Sequence, residues 1–117
     1  MNYRSLGPIK NVSRLALGGG GIGQVWGATN RDEALATVEA AVAAGINFFD
    51  LAPMYGNGEA ERVIGTVYRD GYPDDIKLST KCMLGDAPAE EIDDRLRRSL
   101  DQSCERLNRN YVDLFIR

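Results

Sequence analysis

A strand, a loop and a helix follow one another in residues 46–68, which read INFFDLAPMYGNGEAERVIGTVY. The aromatic run from Asn47 to Leu51 is typical of a buried strand, and the proline and glycines after it indicate a loop. The next apolar residues recur at helical spacing. They are Ala60, Val63, Ile64, Val67 and Tyr68. Because Gly71 and Pro73 end this pattern, the stretch predicts one complete βα unit.

The same alternation occurs before and after this unit. Predicted strands begin near residues 14, 46, 76 and 111, a spacing of about 30 residues that is typical of βαβ units with parallel strands. Two further helices are predicted, one between the Asn30 cap and Gly45 and one that begins near Pro88. The apolar face of the latter consists of Ile92, Leu96, Leu100, Cys104 and Leu107. Residues 3–12 predict a short hairpin ahead of the first strand, which covers residues 14–17 and ends in a glycine tract.

Four parallel strands and three helices fit two architectures. One is an open four-stranded sheet that is complete at this length, and the other is the N-terminal half of a (β/α)8 barrel, which needs ~250 residues. We favour the half-barrel, because the last strand, residues 111–117, has no cap, turn or polar tail after it. We therefore expect residues 1–117 to form a single domain segment that stops at the fourth strand of a barrel.

The composition excludes several classes of function. A net charge of −3 provides no broad cationic surface, so we expect no nucleic acid partner. No apolar stretch approaches the ~20 residues of a membrane span and no secretion signal is present, so we expect a cytoplasmic protein with no membrane partner. Its two cysteines should stay thiols there. Since histidine is absent, His-dependent nucleophilic mechanisms are excluded, and we expect no metal site.

Polar side chains end two neighbouring strands of the predicted sheet. Asp50 follows Phe48-Phe49, and Lys81 follows residues 78–80. The carboxyl ends of parallel strands share one edge, and adjacent strands lie ~4.8 Å apart, so we expect these two side chains to form an ion pair. Tyr55 lies five residues beyond Asp50, in a loop that can fold back over the same edge.

A phenol, an ammonium and a carboxylate in contact are suited to proton transfer. A phenol has an unperturbed pKa of ~10, and a nearby ammonium favours its ionised form while a carboxylate holds the ammonium in place. Tyr55 then becomes a proton donor near neutral pH. The alternative is structural: Asp50 caps a turn, Tyr55 covers the rim and Lys81 is a solvated strand end. The spacing alone supports both interpretations.

The glycine tract Gly18–Gly23 matches the GxGxxG pattern of dinucleotide-binding Rossmann folds. That interpretation requires a helix directly after the tract and an acid ~20 residues further on. Here the next predicted helix begins near residue 31, and Asp50 comes 27 residues after Gly23. The sequence therefore disfavours a Rossmann site.

Residues 49–65, FDLAPMYGNGEAERVIG, resemble the signature of the aldo-keto reductase family, and the resemblance extends over essentially the whole chain. Further similarity lies in the glycine tract before Trp26-Gly27, in residues 45–50, in Ser79-Thr80-Lys81 and in residues 111–115. Members of this family are (β/α) barrels that use NAD(P)H to reduce aldehydes and ketones, or that catalyse the reverse oxidation. The resemblance therefore implies a cofactor, NADP or NAD, and a small-molecule carbonyl or sugar substrate.

The resemblance also implies roles for individual residues. Tyr55 is the general acid, Lys81 is the group that makes its hydroxyl more acidic, and Asp50 is the partner of Lys81. The implied cofactor-binding residues are Gly19, Gly20 and Asp50, with the two glycines beside the nicotinamide ribose. Trp26 is implied to shape the substrate pocket.

Three departures from the family pattern affect these expectations. Many members carry a histidine just beyond the segment that matches residues 112–115, but this chain ends at Arg117, and Leu51 stands where a small hydroxyl residue is common. The later strands and helices, which in the family clamp the pyrophosphate and adenine side of the cofactor, are also missing, so we expect the 117-residue segment alone to bind NADPH weakly or not at all and to be inactive. The alternative function is that of a non-catalytic cofactor-binding or regulatory protein with the same barrel, like the relatives that attach to channels.

Overall fold

The computed structural model describes all 117 residues. The strands are β1 (Tyr3–Leu6), β2 (Ile9–Ser13), β3 (Leu17–Gly18), β4 (Phe48–Asp50), β5 (Lys77–Lys81) and β6 (Leu114–Ile116). The helices are α1 (Gly19–Ile22), α2 (Arg31–Ala43), α3 (Glu59–Val67) and α4 (Ala89–Leu107). No helix combines the length and the apolar composition that crossing a bilayer requires.

Four of the strands form one parallel sheet. Their order is β3-β4-β5-β6, so each strand lies beside the next strand in the chain, as in the first half of a (β/α)8 barrel. Asp50 lies opposite Gly18 on one side and Ser79 on the other. β1 and β2 form a separate antiparallel hairpin. The predicted hairpin and the predicted parallel sheet are both confirmed.

The hydrophobic core lies between this sheet and the helices. Phe49 and Leu78 come from the strands, Val38 comes from α2, and Val63 and Ile64 come from α3; all five are fully buried. The apolar side predicted for α3 is therefore confirmed. The predicted N-cap of α2 is also present, because the Asn30 side chain accepts a hydrogen bond from the backbone N–H of Glu33 at 2.8 Å.

The glycine tract differs from the prediction. The first parallel strand is shorter than predicted and continues into Gly18, and the next four residues form a helix of one turn, which makes four helices where three were expected. Glycine is a poor helix former, but tertiary contacts override that preference here. A Cβ on Gly19 would lie 2.9 Å from Leu51 Cδ2, and one on Gly20 would lie 2.5 Å from Trp26 Nε1. These close approaches require glycine.

Two elements near the C-terminus are also less extensive than predicted. On α4, only Leu107 of the predicted apolar face is fully buried, because only the last turns of the helix bury side chains. β6 begins at Leu114 rather than at residue 111. The backbone N–H of Leu78 donates to the Asp113 carboxylate at 2.9 Å instead of to a backbone carbonyl of the neighbouring strand, so the regular strand pairing begins only after Asp113.

Candidate active site

Two charged residues meet at the carboxyl edge of the sheet. Asp50 ends β4 and Lys81 ends β5, and Lys81 Nζ lies 2.8 Å from Asp50 Oδ1. Lys81 Nζ also donates to the backbone carbonyl of Leu51 at 2.8 Å. The hydroxyl of Ser79 donates to the same Asp50 oxygen at 2.6 Å. The ion pair expected from the strand ends is therefore present, and two further groups hold it in position.

The surroundings of Asp50 favour its ionised form. Burial raises the pKa of Asp50, but the hydrogen bonds from Lys81 and Ser79 and the positive charge of Lys81 outweigh burial, so the pKa lies below its usual value. Both hydrogen bonds end on Oδ1, and the side chain is 42% exposed. Oδ2 therefore remains available as a hydrogen-bond acceptor at the edge of the sheet.

Tyr55 lies in the loop between β4 and α3, which folds back over this edge. The Tyr55 backbone N–H donates to Ala52 at 3.1 Å, and its carbonyl accepts from Ala60 at 3.1 Å, which fixes both sides of the turn. Lys81 Nζ lies 5.1 Å from the centroid of the Tyr55 ring. The Tyr55 hydroxyl has no hydrogen-bond partner in the protein. The cation therefore lies over the ring, and the hydroxyl remains free.

The cofactor-site residues suggested by the sequence lie at the same edge. A Cβ on Gly19 would lie 3.1 Å from Tyr55 Cδ2 and 3.2 Å from the carbonyl oxygen of Asp50, so α1 begins directly against the Tyr55 loop. Gly20 lies against the indole of Trp26, which is 83% exposed. The structure thus brings Asp50, Tyr55, Lys81 and Gly19 together. Trp26 contacts Gly20, the next residue of α1, and forms no hydrogen bond with the other three side chains.

Sequence reasoning missed the contribution of Ser79. Its signal was its position two residues before Lys81, which puts both side chains on one face of β5, opposite the end of β4. Both cysteines are free thiols, as expected. Cys82 is buried beside Lys81, and burial raises the pKa of Cys104, so neither is an exposed nucleophile.

The chain has parallel strands joined by helices and charged side chains at the carboxyl edge of the sheet. These features place it in the class of (β/α)-barrel proteins. A sequence profile described as the Aldo/keto reductase family matches residues 14–116, and the chain belongs to that family. Its fold is that of the N-terminal half of a (β/α)8 barrel. The family uses NAD(P)H.

Individual relatives agree with this assignment. L-galactose dehydrogenase of Arabidopsis thaliana is 36% identical over 105 residues, which cover 88% of this chain and 33% of the relative. The thermostable aldo-keto reductase Tm1743, solved with the inhibitor epalrestat, matches 98% of this chain and 42% of its own length, with a TM-score of 0.80 and 30% identity. An aldo-keto reductase of Klebsiella pneumoniae in complex with NADPH has a TM-score of 0.76 and 26% identity, and covers 98% of this chain and 39% of its own. The chain thus spans between a third and about two fifths of the length of these relatives.

Proposed function

We infer that this chain acts in an NAD(P)H-dependent oxidoreductase that reduces an aldehyde or ketone, or oxidises the matching alcohol or sugar. The observation that carries this proposal is the Lys81 ammonium, which Asp50 and the Leu51 carbonyl hold over the ring of a tyrosine whose hydroxyl is free. Family membership supports oxidoreductase chemistry in general. The names and ligands of the relatives support a sugar or carbonyl substrate and NADPH.

In this proposal Tyr55 donates the proton to the carbonyl oxygen. A phenol that gives up its proton acquires negative charge, and the fixed ammonium of Lys81 stabilises that charge. Asp50 keeps Lys81 charged and in place, and Ser79 keeps Asp50 oriented through its 2.6 Å hydrogen bond. Because these contacts exist before any substrate binds, little reorganisation accompanies proton transfer.

The residues at this edge fit the nicotinamide end of the cofactor, which supplies the hydride when it is bound. Gly19 presents bare backbone beside Tyr55, where even a methyl group would crowd its neighbours. Asp50 Oδ2 is free to accept a hydrogen bond from a sugar hydroxyl. Gly20 admits the Trp26 indole against the backbone, and the exposed remainder of that ring can form one wall of the substrate pocket. Gly19, Gly20, Asp50 and Trp26 are therefore the residues we assign to binding.

The test is steady consumption of NADPH by the full-length protein with a panel of aldehydes, ketones and aldoses, followed by NADP-dependent oxidation of the matching alcohols and sugars. We expect turnover with at least one carbonyl compound. Isothermal titration calorimetry with NADPH measures cofactor binding separately from turnover. Binding without turnover across the panel would contradict the enzyme and favour a non-catalytic regulatory protein. For the isolated 117-residue chain, we expect weak binding and no turnover.

A further inference from the structure

A buried carboxylate outside the proposed proton-donating group joins three elements. Glu61, on α3, is fully buried. Its Oε1 accepts hydrogen bonds from Arg106 of α4, at 3.0 Å from Nε and 2.9 Å from Nη2. Its Oε2 accepts the hydroxyl of Thr80, on β5, at 3.1 Å. A buried carboxylate is costly unless it is paired in this way, so each of these contacts constrains its geometry.

The elements that Glu61 joins are the ones that carry Tyr55 and Lys81. Thr80 directly precedes Lys81 on β5, so any movement of Thr80 is transmitted to Lys81 through one peptide bond. On the other side, Ala60, next to Glu61, donates its backbone N–H to the carbonyl of Tyr55 at 3.1 Å. The chain neighbour of Glu61, Ala60, therefore contacts Tyr55, and the hydrogen-bond partner of Glu61, Thr80, is the chain neighbour of Lys81.

Arg106 restricts this linkage further. A Cβ on Gly58, the residue before α3, would lie 2.7 Å from Arg106 Cδ, and one on Gly65 would lie 2.1 Å from the Arg106 carbonyl oxygen. Gly58 also has a φ of +91°, which favours glycine. The arginine thus lies between the turn that ends the Tyr55 loop and the body of α3. Its ion pair with Glu61 fixes how close α4 comes to that turn.

We propose that Glu61 is a positioning residue, which sets the separation between Tyr55 and Lys81 through its bonds to Thr80 and Arg106. An apolar side chain of similar size would also hold α3 against α4, and without desolvating a charge. The Glu61 carboxylate accepts from Thr80 and pairs its charge with the Arg106 guanidinium at the same time, and a glutamine loses the charge that Arg106 faces and one of the two acceptors. This inference rests on the proposed function, since it assigns Glu61 a task within the same group.

Lys81 provides a direct readout of the separation between Tyr55 and Lys81 in the full-length protein. Its ammonium lies over the Tyr55 ring, so the ring current of Tyr55 shifts the NMR signals of the Lys81 ε-methylene. Lys81→Arg in the full-length protein identifies which lysine signal belongs to Lys81. We expect Glu61→Gln to move this signal toward its position in Tyr55→Leu, which lacks the ring. We also expect Glu61→Gln to lower kcat by about 10- to 100-fold with little change in KM, because the substrate still binds while the proton donor is misplaced.

The matched control is Glu59→Gln. Glu59, on the same helix, forms an ion pair with Arg31 of α2 at 2.6 Å and has no bond to β5, so its loss should leave the Lys81 signal unchanged. If Glu61→Gln does not fold, Thr80→Val removes one bond to Glu61 with little change in shape and should shift the same signal. An unmoved Lys81 signal in a folded variant of either kind overturns the positioning role. A wild-type protein that reduces no carbonyl compound overturns the proposed function instead, and the NMR comparison still decides the role of Glu61.

Discussion

An ion pair between a basic residue and an aspartate lies at each end of β5, but the two pairs differ in what they leave open to solvent. At the carboxyl end, Lys81 and Asp50 are 23% and 42% exposed, and one oxygen of Asp50 has no partner. At the amino end, Arg109 and Asp113 are only 7% and 15% exposed. There, Asp113 also accepts the backbone N–H of Leu78 at 2.9 Å.

The aromatic rings around the two cations also differ in number. Arg109 lies between the rings of Tyr72 and Tyr111, at 4.9 and 4.0 Å from their centroids, so the amino-end cation is enclosed by the protein itself. Lys81 has one ring, that of Tyr55, and the hydroxyl of that ring is free. An ion pair whose hydrogen-bonding groups are all satisfied by the protein stabilises the fold, whereas a pair with a free acceptor and a free hydroxyl beside it is available to a ligand. Substitutions at the two ends should therefore affect different properties.

The largest effect should come from Tyr55→Phe in the full-length protein. Removing the hydroxyl removes the proposed proton donor, so we expect NADPH-dependent turnover to fall by ~10²- to 10⁴-fold. The ring and its close approach to Gly19 remain, so cofactor binding, measured by isothermal titration calorimetry with NADPH, should change little. Tyr111→Phe, at the opposite end of the sheet, is the matched control and should retain turnover. Near-normal turnover in Tyr55→Phe would refute the assignment.

Lys81→Met should have the next largest effect, a loss of turnover of about 10²-fold, because the phenol loses the cation that stabilises its negative charge. The pKa of Asp50 should rise in this variant, because a hydrogen bond and a positive charge that lower it are both removed. Carboxyl chemical shifts followed by NMR over a pH titration measure that change. Lys77→Met, on the same strand, is the control and should leave turnover intact; equal losses in both variants would point to damage to the strand.

Asp113→Asn tests the amino end and should affect stability rather than chemistry. It removes the charge that Arg109 faces in a largely buried site, so we expect the free energy of unfolding in urea to fall by about 1–3 kcal/mol. Turnover per folded molecule should not change. Asp70→Asn, in a fully exposed pair with Arg69, should have no measurable effect on stability. Loss of turnover in folded Asp113→Asn would contradict the separation of the two ends.

The ion pair at the carboxyl end of β5 was predictable from the sequence because it lies at the ends of two consecutive predicted strands. Parallel strands bring their ends to one edge, so Asp50 and Lys81 could be paired from the chain alone. The Glu61 linkage was not predictable in this way, because Glu61, Thr80 and Arg106 lie on three different elements and no periodicity marks their contacts. Arg109 and Asp113 are only four residues apart, but they lie outside any helix or strand, and no sequence pattern shows that they pack against the start of β5. The helix in the glycine tract was missed for a similar reason, since its cause is the close approach of Leu51 and Trp26.

The smallest expected effect is the contribution of Asp50 to stability. Its dependence on pH distinguishes it from contributions that do not involve the charge of Asp50. The pKa of Asp50 in the folded protein lies below its unfolded value of ~4, so the ion pair stabilises the fold above pH ~4, and this stabilisation is lost as the pH falls through the folded value. Because Asp50 is partly exposed, solvent screening limits the effect to about 0.5 kcal/mol. The measurement is the difference in unfolding free energy between wild type and Asp50→Asn. It should be constant between about pH 5 and 7 and shrink below pH ~4. A difference that persists unchanged in acid would mean that the Asp50 side chain stabilises the edge through its shape and not through its charge, which would contradict the ion pair as the source of this stability.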